Sequence, residues 1–379
     1  MIKSAYIHIP FCEHICHYCD FNKVFLQGQP VDRYLNVLKR EMQLSLEKYP
    51  QDHLETIFVG GGTPTSLNEK QLEFLCHSIK ETLPFGKNIE YTFEANPGDL
   101  SEEKLSILYN AGVNRLSFGV QSFNDELLKK IGRTHRTRDV YETIEKAQKI
   151  GFSNISIDLI YGLPGQTMED FTDTMEKALA LDLPHYSGYS LIVEPKTVFY
   201  NLMQKGKLQL PPQELEASMY ERLMDRMEKQ GLNQYEISNF AKPGFESRHN
   251  LTYWNNEEYF GFGAGAHGYV SGKRVANYGP LKKYMTPLEE GKLPLIEEHL
   301  VPVAEQMEEE MFLGLRKNEG VSLELFRKKF SVEMSKVFGE PLEEQRKLGL
   351  IEMNTDCVRL TRKGKLLGNE VFQSFLGII

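Results

Sequence analysis

Cys12-Glu13-His14-Ile15-Cys16-His17-Tyr18-Cys19 follows directly on the apolar run Ala5-Tyr6-Ile7-His8-Ile9. The run reads as a β-strand, so the three thiols fall on the loop that leaves its C-terminal end. Three and then two residues separate them. Three close thiolates can hold three irons of a [4Fe–4S] cluster and leave the fourth iron without a protein ligand. An open iron is what a cluster needs if it is to bind and cleave a small molecule. The same thiols with His14 or His17 would also suit a structural Cys3His zinc site. Zinc ribbons pair two CxxC-like knuckles, and no second knuckle follows here.

Downstream, strand-like and helix-like segments alternate. The strands read as Ala5–Ile9, Thr56–Val59, Ile89–Glu94, Arg115–Gly119, Asn154–Leu159 and Tyr186–Leu191. Helical periodicity falls at Val31–Lys48, Glu69–Thr82, Ser101–Ala111, Tyr141–Ile150, Thr167–Ala180 and Glu214–Gln230. Ser101 is placed to cap a helix start, and Gly112 and Gly151 to close helix ends. Such alternation implies a parallel sheet with outer helices, and six βα units make an incomplete barrel. The expected organisation is a barrel domain over 1–230, an extension over 231–290 rich in Gly, Asn and aromatics, and a smaller, mostly α-helical domain over 291–379. Gly349–Thr361 followed by Arg362–Phe375 reads as strand, turn, strand and helix, like the wing of a winged helix. DNA binding is the functional reading of a wing; a protein-facing or substrate-covering module suits this acidic chain better.

The 379 residues carry a net charge of −9 and 41% hydrophobic content. That is enough for a large core with a second, smaller one, and the acidic balance argues against general affinity for nucleic acid. Five cysteines, three of them clustered, suit a reducing compartment and not a disulfide framework. Cys76 and Cys357 read as small apolar residues of a helix and a strand. No signal-peptide pattern and no membrane-length apolar run is visible, so a cytoplasmic location is expected, with docking at a membrane surface compatible with it.

Polar residues collect at or just after the strand ends, where an α/β barrel gathers its chemistry. Gly60-Gly61-Gly62-Thr63-Pro64-Thr65 follows the second strand, and its glycines let backbone approach a ligand closely. Glu94 ends the third strand, Gln121 follows the fourth and Asp158 lies near the end of the fifth. Arg133 offers a planar fork for a carboxylate. Each alone could be an ordinary solvated residue. Tyr6, six residues before Cys12, would lie near the thiols, and Tyr18 between two of them could pack on an aromatic ligand.

The cysteine motif resembles that of radical S-adenosylmethionine (SAM) enzymes, and the remaining motifs are similar to those of oxygen-independent coproporphyrinogen III dehydrogenases (HemN) and HemW-type heme chaperones over nearly the whole chain. The resemblance implies a partial (βα)6 barrel. It implies a [4Fe–4S] cluster on Cys12, Cys16 and Cys19, with the amino and carboxylate groups of SAM on the open iron. It assigns the Gly61-Gly62-Thr63 turn to the methionine amino group, and Glu94, Gln121, Arg133 and Asp158 to the rest of SAM. Ile192 and His267 match SAM-proximal positions by loose alignment.

Two features separate the subfamilies. The dehydrogenases carry a further cysteine two residues after the third ligand, where this chain has Phe21, and a longer N-terminal arm. His249-Asn250-Leu251-Thr252-Tyr253-Trp254 matches the HNxxYW motif that the heme chaperones associate with heme. An imidazole can ligate heme iron, and Tyr253 and Trp254 could pack on a porphyrin face. Equally, one histidine beside aromatics is often a satisfied core residue. The resemblance thus implies heme as a bound group and a recipient hemoprotein, such as a membrane respiratory enzyme, as partner. It leaves oxidative decarboxylation of coproporphyrinogen III as the alternative and is compatible with a homodimer.

Overall fold

The computed structural model describes all of Met1–Ile379. Its first half alternates as the periodicity predicts. The strands are β1 (Ser4–Ile9), the two-residue β2 (Phe11–Cys12) and β3 (Val24–Phe25), then β4 (Leu54–Gly61), β5 (Phe85–Ala95), β6 (Arg115–Gln121), β7 (Asn154–Tyr161) and β8 (His185–Ser190). The helices are α1 (Val31–Lys48), α2 (Glu69–Thr82), α3 (Glu102–Asn110), α4 (Asp125–Lys130), α5 (Thr137–Ile150), α6 (Met168–Leu179), α7 (Val198–Gln204) and α8 (Gln213–Lys229). Local chemistry sets their ends. Asn68 and Gln71 form a reciprocal capping box at α2, as do Thr167 and Asp170 at α6. Gly151 closes α5 at φ 122°, a conformation that disfavours a side chain.

β1 and β4 through β8 pair in parallel and in sequence order, forming an arc with its helices outside. The sheet does not stop there. Short strands β9 (Asn233–Gln234) and β10 (Asn239–Ala241) extend it beyond β8. On the other side β11 (Tyr259–Phe262) lies parallel to β1. β12 (His267–Val270), β13 (Lys273–Asn277) and β14 (Leu295–Leu300) follow antiparallel. The segment expected as an extension therefore supplies five strands to one twelve-stranded mixed sheet, and β14, from the region expected as the helical C-terminal domain, adds a sixth. One apolar core of 58 buried residues underlies it.

The last 77 residues form a separate core of 14 buried residues, including Phe326, Phe338, Val358 and Phe375. Helices α11 (Val303–Gly314), α12 (Leu323–Phe330), α13 (Met334–Lys347), α14 (Arg362–Leu366) and α15 (Gly368–Gln373) surround a small antiparallel sheet, placed after α9 (Arg248–Trp254) and α10 (Leu281–Glu289) of the larger unit. The small sheet runs β15 (Val321–Ser322), β17 (Cys357–Leu360), β16 (Ile351–Met353) in space. The hairpin of β16 and β17 followed by helix is the expected wing.

Helix α9 lies against β4, at the end of the arc away from the cysteine loop. Its N-terminus is held by one buried carboxylate. Glu90 accepts from Arg248 N (2.9 Å), His249 N (3.0 Å) and Ser247 Oγ (3.3 Å). An anion there also complements the helix dipole. Glu90→Ala removes the acceptor from three buried donors, so it is expected to cost about 3 kcal/mol or more in chemical denaturation.

Candidate functional site

Beyond β1, β2 pairs in parallel with β3 and so closes the cysteine loop between them. Asn22 fixes its exit. The Asn22 amide donates to the carbonyls of Ala264 (2.7 Å) and Gly279 (3.1 Å), and its own carbonyl accepts from His8 Nε2 (2.7 Å). Cys12, Cys16 and Cys19 then line one cavity of about 480 Å³ at the C-terminal end of the arc. Each faces a donor or a cation. Thr63 Oγ1 points at Cys12 Sγ (3.8 Å), Arg133 Nη1 at Cys16 Sγ (3.4 Å), and Lys23 Nζ binds the Cys19 carbonyl (2.5 Å). Burial pushes the Cys12 thiol up to about 11 and raises Cys19 as well, with Thr63 and Lys23 pulling the other way.

No group of three His, Cys, Asp or Glu side chains gathers around a single-ion point. The three thiols and His14 line the same cavity without meeting at such a point. This donor set fits a polynuclear iron–sulfur group, whose irons are each met by one thiolate, better than a tetrahedral zinc ion.

The remaining wall is polar. Gly61, Gly62, Thr63, Glu94, Asn96, Gln121, Arg133 and Asp158 line it with Tyr18 and Ile192. Gly61 sits at φ 113°, and a Cβ there would run into the His8 ring; at Gly62 it would meet the backbone of Pro10 and Phe11 at 2.8 Å. Gly61 N donates to Glu94 Oε2 (2.9 Å). Gln121 lies at φ 66° beside a register shift in β6, which turns its amide into the cavity. The Arg133 fork is already engaged by the Gly119 carbonyl and by Asn96 Oδ1 (2.8 Å). Burial raises Glu94 to about 7, opposed by the Gly61 amide and assisted by Asp158; burial raises Asp158 too, against Ser187 and Arg115. A cationic ligand between these carboxylates would restore their charge.

A second cavity of about 410 Å³ occupies the interior of the arc. The two share Phe21, Gly61, Glu94, Ser117, Asp158 and Tyr189. Period-two alternation brings the lining together: Tyr6 and His8 from β1, Phe58 from β4, Arg115 and Ser117 from β6, His185, Ser187 and Tyr189 from β8. His249, Asn250 and Tyr253 of α9 complete it with Tyr259 and His267.

The predicted residues therefore divide. The cysteines, Tyr18, Gly62, Thr63, Gln121 and Arg133 belong to the first cavity; Gly61, Glu94 and Asp158 to both; Tyr6, His249 and Tyr253 to the second. Tyr6 was expected beside the thiols; its hydroxyl instead bonds His8 Nδ1 (3.0 Å) inside the arc. His267, expected near SAM, also lines the second cavity, whereas Ile192 lines the first.

His249 is 1% exposed. Both its nitrogens are engaged, Nδ1 with Thr56 Oγ1 (2.8 Å) and Nε2 with the Tyr253 hydroxyl (2.8 Å), and burial lowers its pKa to about 3. It is a neutral, satisfied histidine in the ligand-free protein. Trp254 lines neither cavity; Arg316 of the C-terminal unit lies over its ring at 5.2 Å.

Arg115, His185, Phe58 and Tyr189 were not singled out by their sequence. The signal was present as polar or aromatic residues at alternate positions of successive strands, where an ordinary barrel interior would be aliphatic.

Comparisons with known proteins agree with this geometry. The Radical SAM superfamily model matches residues 6–178, and the HemN C-terminal domain model matches residues 301–367. The heme chaperone HemW of Bacillus subtilis is 59% identical over 377 residues, covering 99% of this chain and 100% of that protein. HemW of Lactococcus lactis is 50% identical, covering 99% and 97%. Among solved structures, coproporphyrinogen III oxidase (HemN) from Escherichia coli, a radical SAM enzyme, aligns with a TM-score of 0.88 at 25% identity, covering 100% of this chain and 91% of that one.

Proposed function

The chain belongs to the HemW heme-chaperone family of the radical SAM superfamily, and from that premise we propose that it binds heme and passes it to a recipient hemoprotein. The observation that carries this reading is the pair of joined cavities. A site suited to an iron–sulfur group and SAM opens through a shared wall onto one lined by tyrosines, histidines and phenylalanines.

At the first cavity, Cys12, Cys16 and Cys19 would hold a [4Fe–4S] cluster, which when bound supplies one-electron chemistry at an open iron. Gly61, Gly62, Thr63, Glu94, Gln121, Arg133 and Asp158 would hold SAM. Glu94 and Asp158 suit its ammonium and ribose hydroxyls. Arg133, with its fork occupied by Gly119 and Asn96, orients by charge more than by a free bidentate bond. Tyr18 and Ile192 offer apolar surface to an adenine. At the second cavity, His249 and Tyr253 would meet heme.

Phe21 bears on the choice between carrying heme and oxidising a porphyrinogen. It is 60% exposed and lies where the two cavities meet. The dehydrogenases place a cysteine at this position; a phenyl ring offers neither thiol nor ligand, but does offer a stacking face. The recipient would be met in the cytoplasm, with a membrane respiratory enzyme as one such recipient. No helix is long and apolar enough to cross a membrane.

The test uses anaerobically reconstituted protein. Visible absorption titration with hemin is expected to saturate, and the bound heme to move to an apo-hemoprotein on mixing. In parallel, coproporphyrinogen III with SAM and a reductant is expected to yield no protoporphyrinogen IX. Conversion of that substrate would overturn the chaperone reading, as would failure to bind hemin.

A further inference from the structure

Arg115 opens β6 and is 2% exposed, among the largest fully buried side chains in the protein. Its Nε is sealed from solvent and has no hydrogen-bond partner. Its guanidinium forms no ion pair within 4 Å, although its charge is felt by Asp158, His185 and His249. The group lines the second cavity.

A buried cation without a counter-charge costs several kcal/mol and is retained only where something compensates it. The neighbours do so only in part. His185 is fully committed, Nδ1 to Ser156 Oγ (2.7 Å) and Nε2 to the Tyr235 hydroxyl (2.8 Å), and His249 is committed as described. Both are neutral and donate no charge. Asp158 is a carboxylate whose charge reaches Arg115, but it makes no ion pair with it within 4 Å, accepts from Ser117 Oγ (3.4 Å) and faces the first cavity as well, so the fork itself is left without a bidentate partner. An arginine fork matches the two oxygens of a carboxylate. Around it lie Tyr6, Phe58, Tyr189, Tyr253 and Tyr259, which suit a flat aromatic body.

We propose that Arg115 is the anchor for a carboxylate of the ligand in the second cavity, and that this carboxylate is a propionate of heme. The inference rests on the heme-chaperone reading and adds a direction to it. Heme would enter the arc propionate edge first, with its ring toward Phe21 and the wall shared with the first cavity. A cavity of about 410 Å³ takes one edge of such a ligand, and the shared opening accommodates the rest. A carboxylate could also come from the methionine end of a SAM molecule, and the test separates the two sources.

The experiment titrates reconstituted protein with hemin and with hemin dimethyl ester, whose propionates carry no charge, and measures SAM affinity by equilibrium dialysis. Wild-type protein is expected to bind the diacid more tightly than the diester. In Arg115→Gln, hemin affinity is expected to fall about 30-fold or more, to the level of the diester, with diester and SAM affinities unchanged. Arg115→Lys should keep part of the preference. Equal binding of diacid and diester by wild type overturns the inference while leaving the chaperone reading intact. Equal losses for both ligands in the variant overturn it as a mere packing defect. Loss of SAM affinity with the diacid preference retained assigns the carboxylate to SAM and overturns the heme assignment. No hemin binding by wild type removes both the inference and the reading beneath it.

Discussion

Cys16→Ala leaves the protein folded but unable to assemble its cluster. After anaerobic reconstitution, iron and acid-labile sulfide are expected to fall from about four of each per chain to background, with loss of the brown chromophore. The fold should survive, because the loop around Cys16 is held by other contacts. His17 N donates to the Ile131 carbonyl (3.0 Å), and Arg133 keeps Asn96 and Gly119 when the sulfur is gone. Cys76→Ala serves as the control: Cys76 is buried in α2 and far from the cavity lining, so it should retain full iron and sulfide. Zinc without sulfide in the wild-type protein, or full iron in Cys16→Ala, would sink the cluster assignment.

The reach of the sequence follows the range of the interactions. Val31–Lys48 and Glu69–Thr82 coincide with the observed helices, because periodicity and end chemistry are local. The six parallel strands fall within a few residues of their expected limits for the same reason. Strands β11 to β14 were not legible. They are short, and β11, which anchors the other three to the arc, is placed by distant pairing such as Ser4 with Tyr259. The site divides in the same way. Three thiols between Cys12 and Cys19 and a glycine turn can be read from adjacent residues. Arg115 and His185 become neighbours only when the strands are placed in register, Ser117 opposite Ser156 and Ser156 opposite His185.

The HNxxYW motif shows how spacing and direction part company. His249 and Tyr253 are four residues apart on α9 and share a face, so both reach the second cavity. Trp254 is one residue further and rotated by about 100°. It therefore faces the C-terminal unit, where Arg316 spans from its ring to that of Phe372 at 4.6 Å. Of His249, Tyr253 and Trp254, expected together at one ligand, the first two line the second cavity, and the tryptophan instead joins the two units. One short helix thus links the ligand cavity to the C-terminal domain.

Stability is expected to stay nearly level from about pH 7 to 4.5 and then fall steeply. Two sets of buried groups set this shape, and their signs are opposite. Burial raises Glu41, Glu94 and Glu236 to about 7. Between their unfolded value near 4.5 and about 7 the folded protein holds more protons than the unfolded chain, so acidification through that window adds stability. Burial lowers His135 and His249 to about 3, His185 well below its ordinary value, and His8 as well. Below about 6.5 the unfolded chain takes up protons that these folded imidazoles refuse, so acidification removes stability. From 6.5 to 4.5 the two trends oppose each other. Below 4.5 the glutamates are protonated in both states and contribute no further slope, while His135 and His249 together still lose about 3 kcal/mol per pH unit until they titrate near 3, and His185 adds to the loss. Denaturation midpoints measured across pH 7.5 to 3.5 on metal-free protein would check this. A midpoint that declines steadily from pH 6.5 would show that the glutamates do not hold their protons. His249→Asn, which cannot be protonated, is expected to start less stable, having lost one of two hydrogen bonds, and to fall less steeply below pH 4.5.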